Sequence, residues 1–501
     1  MPDRSLELTG ETRQPLAAPG PPGAGIWLAL WLLAFALLSR FSVFGDTNYF
    51  NDEYFYFQGG LRLWQGQLPY VDVWDRKGPG LFLTYALAGA FSSSVIAYQV
   101  AALLFAAATA YVISLIARHF TTASAAALGS TLYLVLLVFF GGGGGQSPVF
   151  YNFWMALAAL GLVKAMPAVD RGEAPPVLFG AMLAAGIVLT FKQTAIFECL
   201  YFGGFALWRL VRGGMPASRL AFTVIGMAAL GIAPMALFAM FYAGAGHFAE
   251  FWHAMVTANL AKSYNPAGDA GRRIATLAML FAPALLPALI GAALPPQNPL
   301  APRWFIACWL AAALAGFAAV PNFYEHYLLP VCLPVSLAAG CAFGLHRTGR
   351  IAGVAVIAFG LMLGPAFDFA SRSASREGMA AFASVIRASA PEPRLLVFEG
   401  PVDLYRQVGV YPPSPLYYPL HLYFPAEHDV SHIGTADAVR KILAWRPTAI
   451  ILYPDFPARE ENQASAPLVH AYLAAHCKLA TTRRLPEVYT AHLVALWTCD
   501  R

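Results

Sequence analysis

Eleven apolar stretches, near residues 25-44, 95-117, 123-140, 150-167, 176-191, 194-211, 220-242, 275-294, 304-320, 328-345 and 351-370, constrain this chain more than any other feature. Runs of this kind belong in a bilayer, where a helix of about 20 residues satisfies its backbone groups internally. Several are a little short, so tilt and flanking turns must complete the crossing. Composition agrees, with 12% of the 501 residues charged against about 25% in ordinary soluble domains. The net charge of +5 is spread over short loops rather than gathered in a patch, which argues against a nucleic-acid partner. The predicted fold class is a polytopic α-helical membrane protein of about eleven transmembrane helices with a small C-terminal α/β domain.

Residues 1-24 lack a secretory cleavage pattern and read as a disordered cytosolic tail. Residues 25-370 form the transmembrane domain, in which the apolar stretch 79-93 is too short to span and is expected at the interface. With 79-93 left out, Arg118, Lys164, Arg171, Arg209, Arg212, Arg219, Arg303, Arg347 and Arg350 share the side of the tail. The positive-inside rule makes that side cytosolic. The expected location is the cell inner membrane, multi-pass, with a cytosolic N-terminus and a periplasmic C-terminus.

The opposite face carries the loop 45-94, the Gly-rich loop 141-149, the turn 191-194, the loop 243-274, the link 321-327 and the region 371-501. Lys262 is among the minority of cations there. Within 371-501, strand-like pieces at 394-399, 448-453, 479-485 and 490-498 alternate with helix-like pieces at 433-445 and 466-476, giving a small periplasmic α/β domain. Cys477 and Cys499 are the two cysteines outside the spans. An oxidising compartment and adjacent strands predict a disulfide between them.

The first outer loop reads Asn51-Asp52-Glu53-Tyr54, followed by LRLWQGQLPYVDVWDRKGPG from 61 to 80. The acidic pair and the run containing Gly66, Pro69, Tyr70, Asp72, Trp74, Asp75, Lys77, Gly78 and Pro79 resemble polyprenyl-phosphate-dependent glycosyltransferases of the GT-C fold. The branch is that of bacterial protein O-mannosyltransferase-like and aminoarabinose-transferase-like membrane enzymes. Lys192 in a Lys-Gln-Thr-Ala step and Glu325-His326-Tyr327 are further matches. The resemblance implies transfer of a sugar from a polyprenyl-phosphate carrier to a periplasmic-side acceptor lipid, glycan or protein, with membrane lipids as the other partners. These enzymes commonly carry a second acidic residue in or near the Gly-rich loop, where this chain has Gln146, Ser147, Tyr151 and Asn152. The five glycines lack a complete phosphate-binding motif and read as a flexible loop.

The chemistry asks for three parts. A lipid phosphate is already a good leaving group, so a carboxylate must take the acceptor's proton, cations or a divalent metal ion must steady the departing phosphate, and an apolar groove must hold the lipid. Asp52 and then Glu53, a few residues outside a membrane helix, are the candidate catalytic carboxylates; a solvated loop or a helix cap is the alternative use of such residues. Asp72 and Asp75 bind sugar or metal, or pair locally with Arg76 and Lys77. Arg76, Lys77, Arg272 and Arg273 clamp the carrier phosphate or contact headgroups. Tyr70, Lys192 paired with Glu198, and His326 complete the candidate substrate-binding set. His247, Glu250 and His253 share a helical spacing that suits ligands but equally suits an interfacial helix. A membrane transporter and a lipid-linked polysaccharide ligase or polymerase are the competing functions; no internal repeat supports the transporter.

Overall fold

The computed structural model describes residues 23-261, 263-264, 267-294, 302, 304-455 and 460-500. The expected tail, apart from its last two residues, lies outside the described residues, as do Lys262 and Arg303. After α1 (Ala24–Arg40) the chain forms two shorter helices, α2 (Asn51–Leu63) and α3 (Pro79–Gly89). Then follow α4 (Val95–Ala117), α5 (Ala123–Phe139), α6 (Ser147–Val169), α7 (Pro176–Leu189), α8 (Ile196–Arg212) and α9 (Ala217–Gly244). The last membrane-level helices are α10 (Ala267–Ala293), α11 (Trp304–Ala318), α12 (Cys332–Phe343) and α13 (Arg347–Leu363). Helices thus form at each of the eleven apolar stretches, and six of the spans are long and apolar enough to cross a membrane by themselves.

Local chemistry fixes several boundaries. Pro79 and Pro176 open α3 and α7 at positions whose N–H has no intrahelical acceptor. Ser94 caps α4 by accepting from the Ile96 amide at 3.3 Å. The span expected over 351-370 stops at Leu363 instead: Gly364 makes the last helical bond, to the Gly360 carbonyl, but turns to an extended ψ, and Pro365 has no N–H to continue the ladder. A new helix, α14 (Phe369–Ser389), then starts with Asp368 accepting from the Ser371 amide at 3.2 Å. Small residues let membrane helices approach backbone to backbone: a Cβ on Gly186 of α7 would fall 2.4 Å from the Gly231 carbonyl of α9.

Beyond α14, strands β1 (Leu395–Val397), β2 (Ala449–Leu452), β3 (Cys477–Pro486) and β4 (Ala491–Cys499) form one sheet in the order β1-β2-β4-β3. β1 and β2 pair in parallel, and the other pairs are antiparallel. Helices α15 (Thr435–Ala444) and α16 (Ala466–His476) fall where helix-like patterning placed them. Cys477 and Cys499 pair across the β3–β4 ladder and are joined by a disulfide.

Several loops and the sheet domain gather on one face. Arg372 of α14 and Asp46 of the first loop form a buried ion pair at 2.9 Å. The Trp74 amide donates to the Pro415 carbonyl at 3.1 Å, and Gln58 donates to the Val402 carbonyl at 2.8 Å. The first loop is therefore sandwiched between the helical bundle and the C-terminal domain.

Candidate active site

Asp52 and Glu53 occupy the first turn of α2, where neighbouring side chains diverge by about 100°. Glu53 is turned inward and fully buried beneath the Gly-rich loop, where a Cβ on Gly144 would lie 2.0 Å from its Oε2. The Tyr98 hydroxyl donates to it at 3.4 Å. Burial pushes the Glu53 carboxyl up to about 8; the Gly145 amide opposes this and the Asp52 charge adds to it. Arg40 donates to the Gly142 carbonyl at 2.7 Å and Tyr85 to the Gly145 carbonyl at 2.6 Å. The five glycines are all buried. The loop is packed solid rather than flexible as its sequence suggests, because its glycines serve close approach.

Asp52 turns the other way. It accepts a hydrogen bond from the Tyr418 hydroxyl, and Tyr418 stacks on Phe55 of α2 at 4.5 Å. Asp52 lines a cavity of about 380 Å³ together with Arg273, Tyr324, Glu325, Tyr418 and Glu487. Arg273 is oriented by the Asn322 carbonyl at 2.9 Å and lies 4.8 Å over the Tyr324 ring. His326 packs edge-on against Phe50, which also lines the cavity, at 5.1 Å.

A second space, an apolar groove of about 1230 Å³, runs between α3, α4, α6, α7 and α9. Leu83, Leu87, Val100, Leu104, Leu237 and Phe241 are among its walls. Pro79, Gly80, Thr190 and Phe191 line it as well; Pro79 is two residues after Lys77, and Phe191 directly precedes Lys192. The two segments are knitted together: the Gly78 amide donates to the Phe191 carbonyl at 3.2 Å and the Gly80 amide to the Thr190 carbonyl at 2.9 Å. Only glycine fits at 78, since a Cβ there would meet the Thr190 carbonyl oxygen at 2.0 Å. Lys77 lies 5.7 Å from the Tyr56 ring centroid and makes no ion pair among the described residues; Lys192 lies 4.6 Å over Tyr327. Tyr70 supports this arrangement from within the loop. It is buried at a φ of 71°, a costly conformation for a non-glycine residue, and donates to the Lys77 carbonyl at 2.7 Å.

The remaining candidates are placed elsewhere. Asp72 accepts from the Leu68 amide at 2.8 Å and shapes its own turn. Arg76 pairs with Glu427 of the C-terminal domain. Asp75 accepts from the Lys77 amide at 2.7 Å and faces His421 at 3.7 Å. Burial disfavours charge on both members of that last pair, yet their attraction, with Glu427 acting on His421 and Lys77 on Asp75, prevails: the Asp75 carboxyl is held below its ordinary value and the His421 ring above its own. Glu198 accepts from the Trp309 indole at 2.7 Å, and both Glu198 and Lys192 line one small cavity. Arg272 is exposed on α10. His247 approaches Glu250 at 3.6 Å while His253 contacts the Val430 carbonyl at 3.1 Å, so the three do not converge.

Sequence reasoning missed Tyr418, Tyr324 and Glu487. The Pro-rich aromatic stretch around Tyr418 was a signal; a lone Glu487 in the tail gave none.

No family model matches the chain, and no curated protein matches it in sequence. In fold it is similar to the crystal structure of ArnT from Cupriavidus metallidurans bound to undecaprenyl phosphate, with a TM-score of 0.61 and 15% identity over 94% of this chain and 98% of that one. The apo ArnT structure gives 0.60 and 14% over 95% and 98%. The chain therefore shares the GT-C membrane fold of ArnT, and it carries a small C-terminal sheet domain.

Proposed function

We propose that this chain is a membrane glycosyltransferase that moves a sugar from a polyprenyl-phosphate carrier to an acceptor hydroxyl. The observation that carries this reading is the junction of Gly78 and Gly80 with Thr190 and Phe191, which joins the two segments bearing Lys77 and Lys192 at the wall of an apolar groove. A long lipid tail suits the groove, and its phosphate suits Lys77 and Lys192. The ArnT structure of the same fold is bound to undecaprenyl phosphate, a ligand of this class.

The step is a single displacement. The acceptor oxygen attacks the anomeric carbon as the bond from that carbon to the phosphate oxygen breaks, and the bonding pair leaves with the phosphate. Asp52 takes the acceptor's proton, and inversion follows from attack opposite the leaving group. The lysines and Arg273 balance the charge that gathers on the phosphate. Glu53 acts from behind by holding the glycine loop and with it the first turn of α2. The arginines gathered in loops on the opposite side support a periplasmic position for this face under the positive-inside rule.

Mass spectrometry of envelope glycolipids and glycoproteins tests the reading. Cells with the protein should carry a sugar on one molecular class that cells without it, or with Asp52→Asn, lack. Identical envelopes in all three would overturn it.

A further inference from the structure

The turn between β3 and β4 is tied down to the first outer loop and to α14. Its Val488 amide donates to the Tyr49 carbonyl at 3.0 Å, Arg372 donates to the Glu487 carbonyl at 2.7 Å, and Asn48 donates to the Pro486 carbonyl at 3.2 Å. Glu487, Val488, Tyr489 and Thr490 thereby become wall of the cavity that holds Asp52. The Glu487 side chain is divided in its bonding. Oε1 accepts from Asn51, the residue before Asp52, at 3.1 Å and from the Tyr453 hydroxyl at 3.3 Å. Oε2 makes no hydrogen bond among the described residues and is not among the sealed polar atoms. One oxygen is anchored and the other is left to the cavity.

Burial pushes the Glu487 carboxyl up to about 7; Tyr453 and Arg372 oppose this, and the charges of Asp46 and Asp52 add to it. Such a group gains when a ligand donates a hydrogen bond to it, because the donor replaces lost hydration. The rest of the cavity suits a carbohydrate. Tyr324, Tyr418, Tyr423 and Tyr453 are among its walls, and aromatic walls suit the C–H face of a sugar ring. Its volume of about 380 Å³ suits a single ring better than a chain of them.

We propose that Glu487 binds a hydroxyl of the transferred sugar through Oε2, making the β3–β4 turn a specificity element of the site. This rests on the transferase reading and adds to it a residue and a region. Asp52, committed to the acceptor's proton, is then free of holding the sugar.

The test uses the full-length protein in lipid nanodiscs and two kinds of probe: undecaprenyl phosphate alone, and undecaprenyl phosphate linked to glucose, mannose or arabinose. The wild type should bind at least one sugar-linked probe about tenfold more tightly than the bare carrier. Glu487→Gln keeps an acceptor for Asn51 and Tyr453 but presents an amide to the cavity; it should erase that gain and leave bare-carrier affinity unchanged. Glu487→Asp, which keeps the charge and withdraws it, should reduce the gain severalfold and covers the case of a misfolded glutamine variant. A gain that survives in Glu487→Gln overturns the proposal. So does equal weakening toward both probes, which would mark a bracing role, and so does a wild type that gains nothing from any of the sugars. A wild type that binds neither probe would fail the transferase reading itself, and this inference with it.

Discussion

The groove and the cavity both take part of their lining from the first outer loop and differ in the physics they offer a ligand. The groove between α3, α4 and α9 offers hydrocarbon and shape, and among the residues lining it no side chain is charged. The cavity under the C-terminal domain is lined by carboxylates, an arginine and tyrosines, with Asp52, Glu487 and Arg273 hydrogen-bonded or stacked into place. Burial of apolar area is forgiving of sequence, whereas a buried charge in the wrong place costs several kilocalories per mole. Changes in the two spaces should therefore separate, with Asp52 variants altering turnover, Glu487 variants altering the preference for sugar-linked over bare carrier, and groove-side variants altering affinity for the bare carrier.

The largest effect is expected from Asp52→Asn, which removes the base. Turnover should fall about 10³-fold while undecaprenyl phosphate affinity holds. Parallel loss of both would break the division. Next is removal of the Cys477–Cys499 bridge, which closes a loop with a sequence separation of 22. In the chain-entropy model the paired serine variant loses roughly 3 kcal/mol of domain stability. Turnover should then decline at lower temperature than in the wild type, and carrier binding to the groove should persist; simultaneous loss would show that the groove depends on the sheet domain.

Lys77→Ala is a smaller change, about tenfold in the concentration of lipid-linked donor required, near 1.4 kcal/mol, with the acceptor requirement unmoved. Equal shifts for both substrates would remove Lys77 from the phosphate. The smallest effect is expected from Glu53→Gln. Because burial raises the Glu53 carboxyl to about 8, the folded protein binds a proton that the unfolded chain releases from about 4.5 upward. Its contribution to stability is thus most favourable below that window and falls as pH rises through it. Glutamine should flatten that part of the pH profile of thermal unfolding, with turnover changed only severalfold. An unchanged slope would show that the carboxyl is not held neutral.

Hydropathy made the spans legible because each helix must satisfy its own backbone in lipid, and periodicity made the small sheet legible because β1 and β2 are continuous apolar runs. Gly364 and Pro365 were visible as well, but their consequence for the span over 351-370 was outweighed by the apolar residues around them. The site was half legible. Asp52 and Lys77 sit in a recognisable local run, whereas Tyr418 and Glu487 reach Asp52 and Asn51 across sequence separations of 366 and 436. No local pattern encodes such meetings. Nor does sequence spacing tell that two adjacent acids face apart, one to a cavity and one to a sealed interior.

The Gly-rich loop also bears on how this chain tolerates change. At each of Gly141 to Gly145 an added Cβ would come within 3.0 Å of another atom: the Tyr489 hydroxyl, the Leu137 carbonyl, the Tyr49 hydroxyl, the Glu53 carboxylate and the Tyr85 hydroxyl in turn. Every amino-acid replacement reachable from a glycine codon by one base change brings a Cβ. Replacement at any of five consecutive positions thus requires a neighbouring group to move, and a stretch that looks like low-complexity filler is closely fitted to its surroundings.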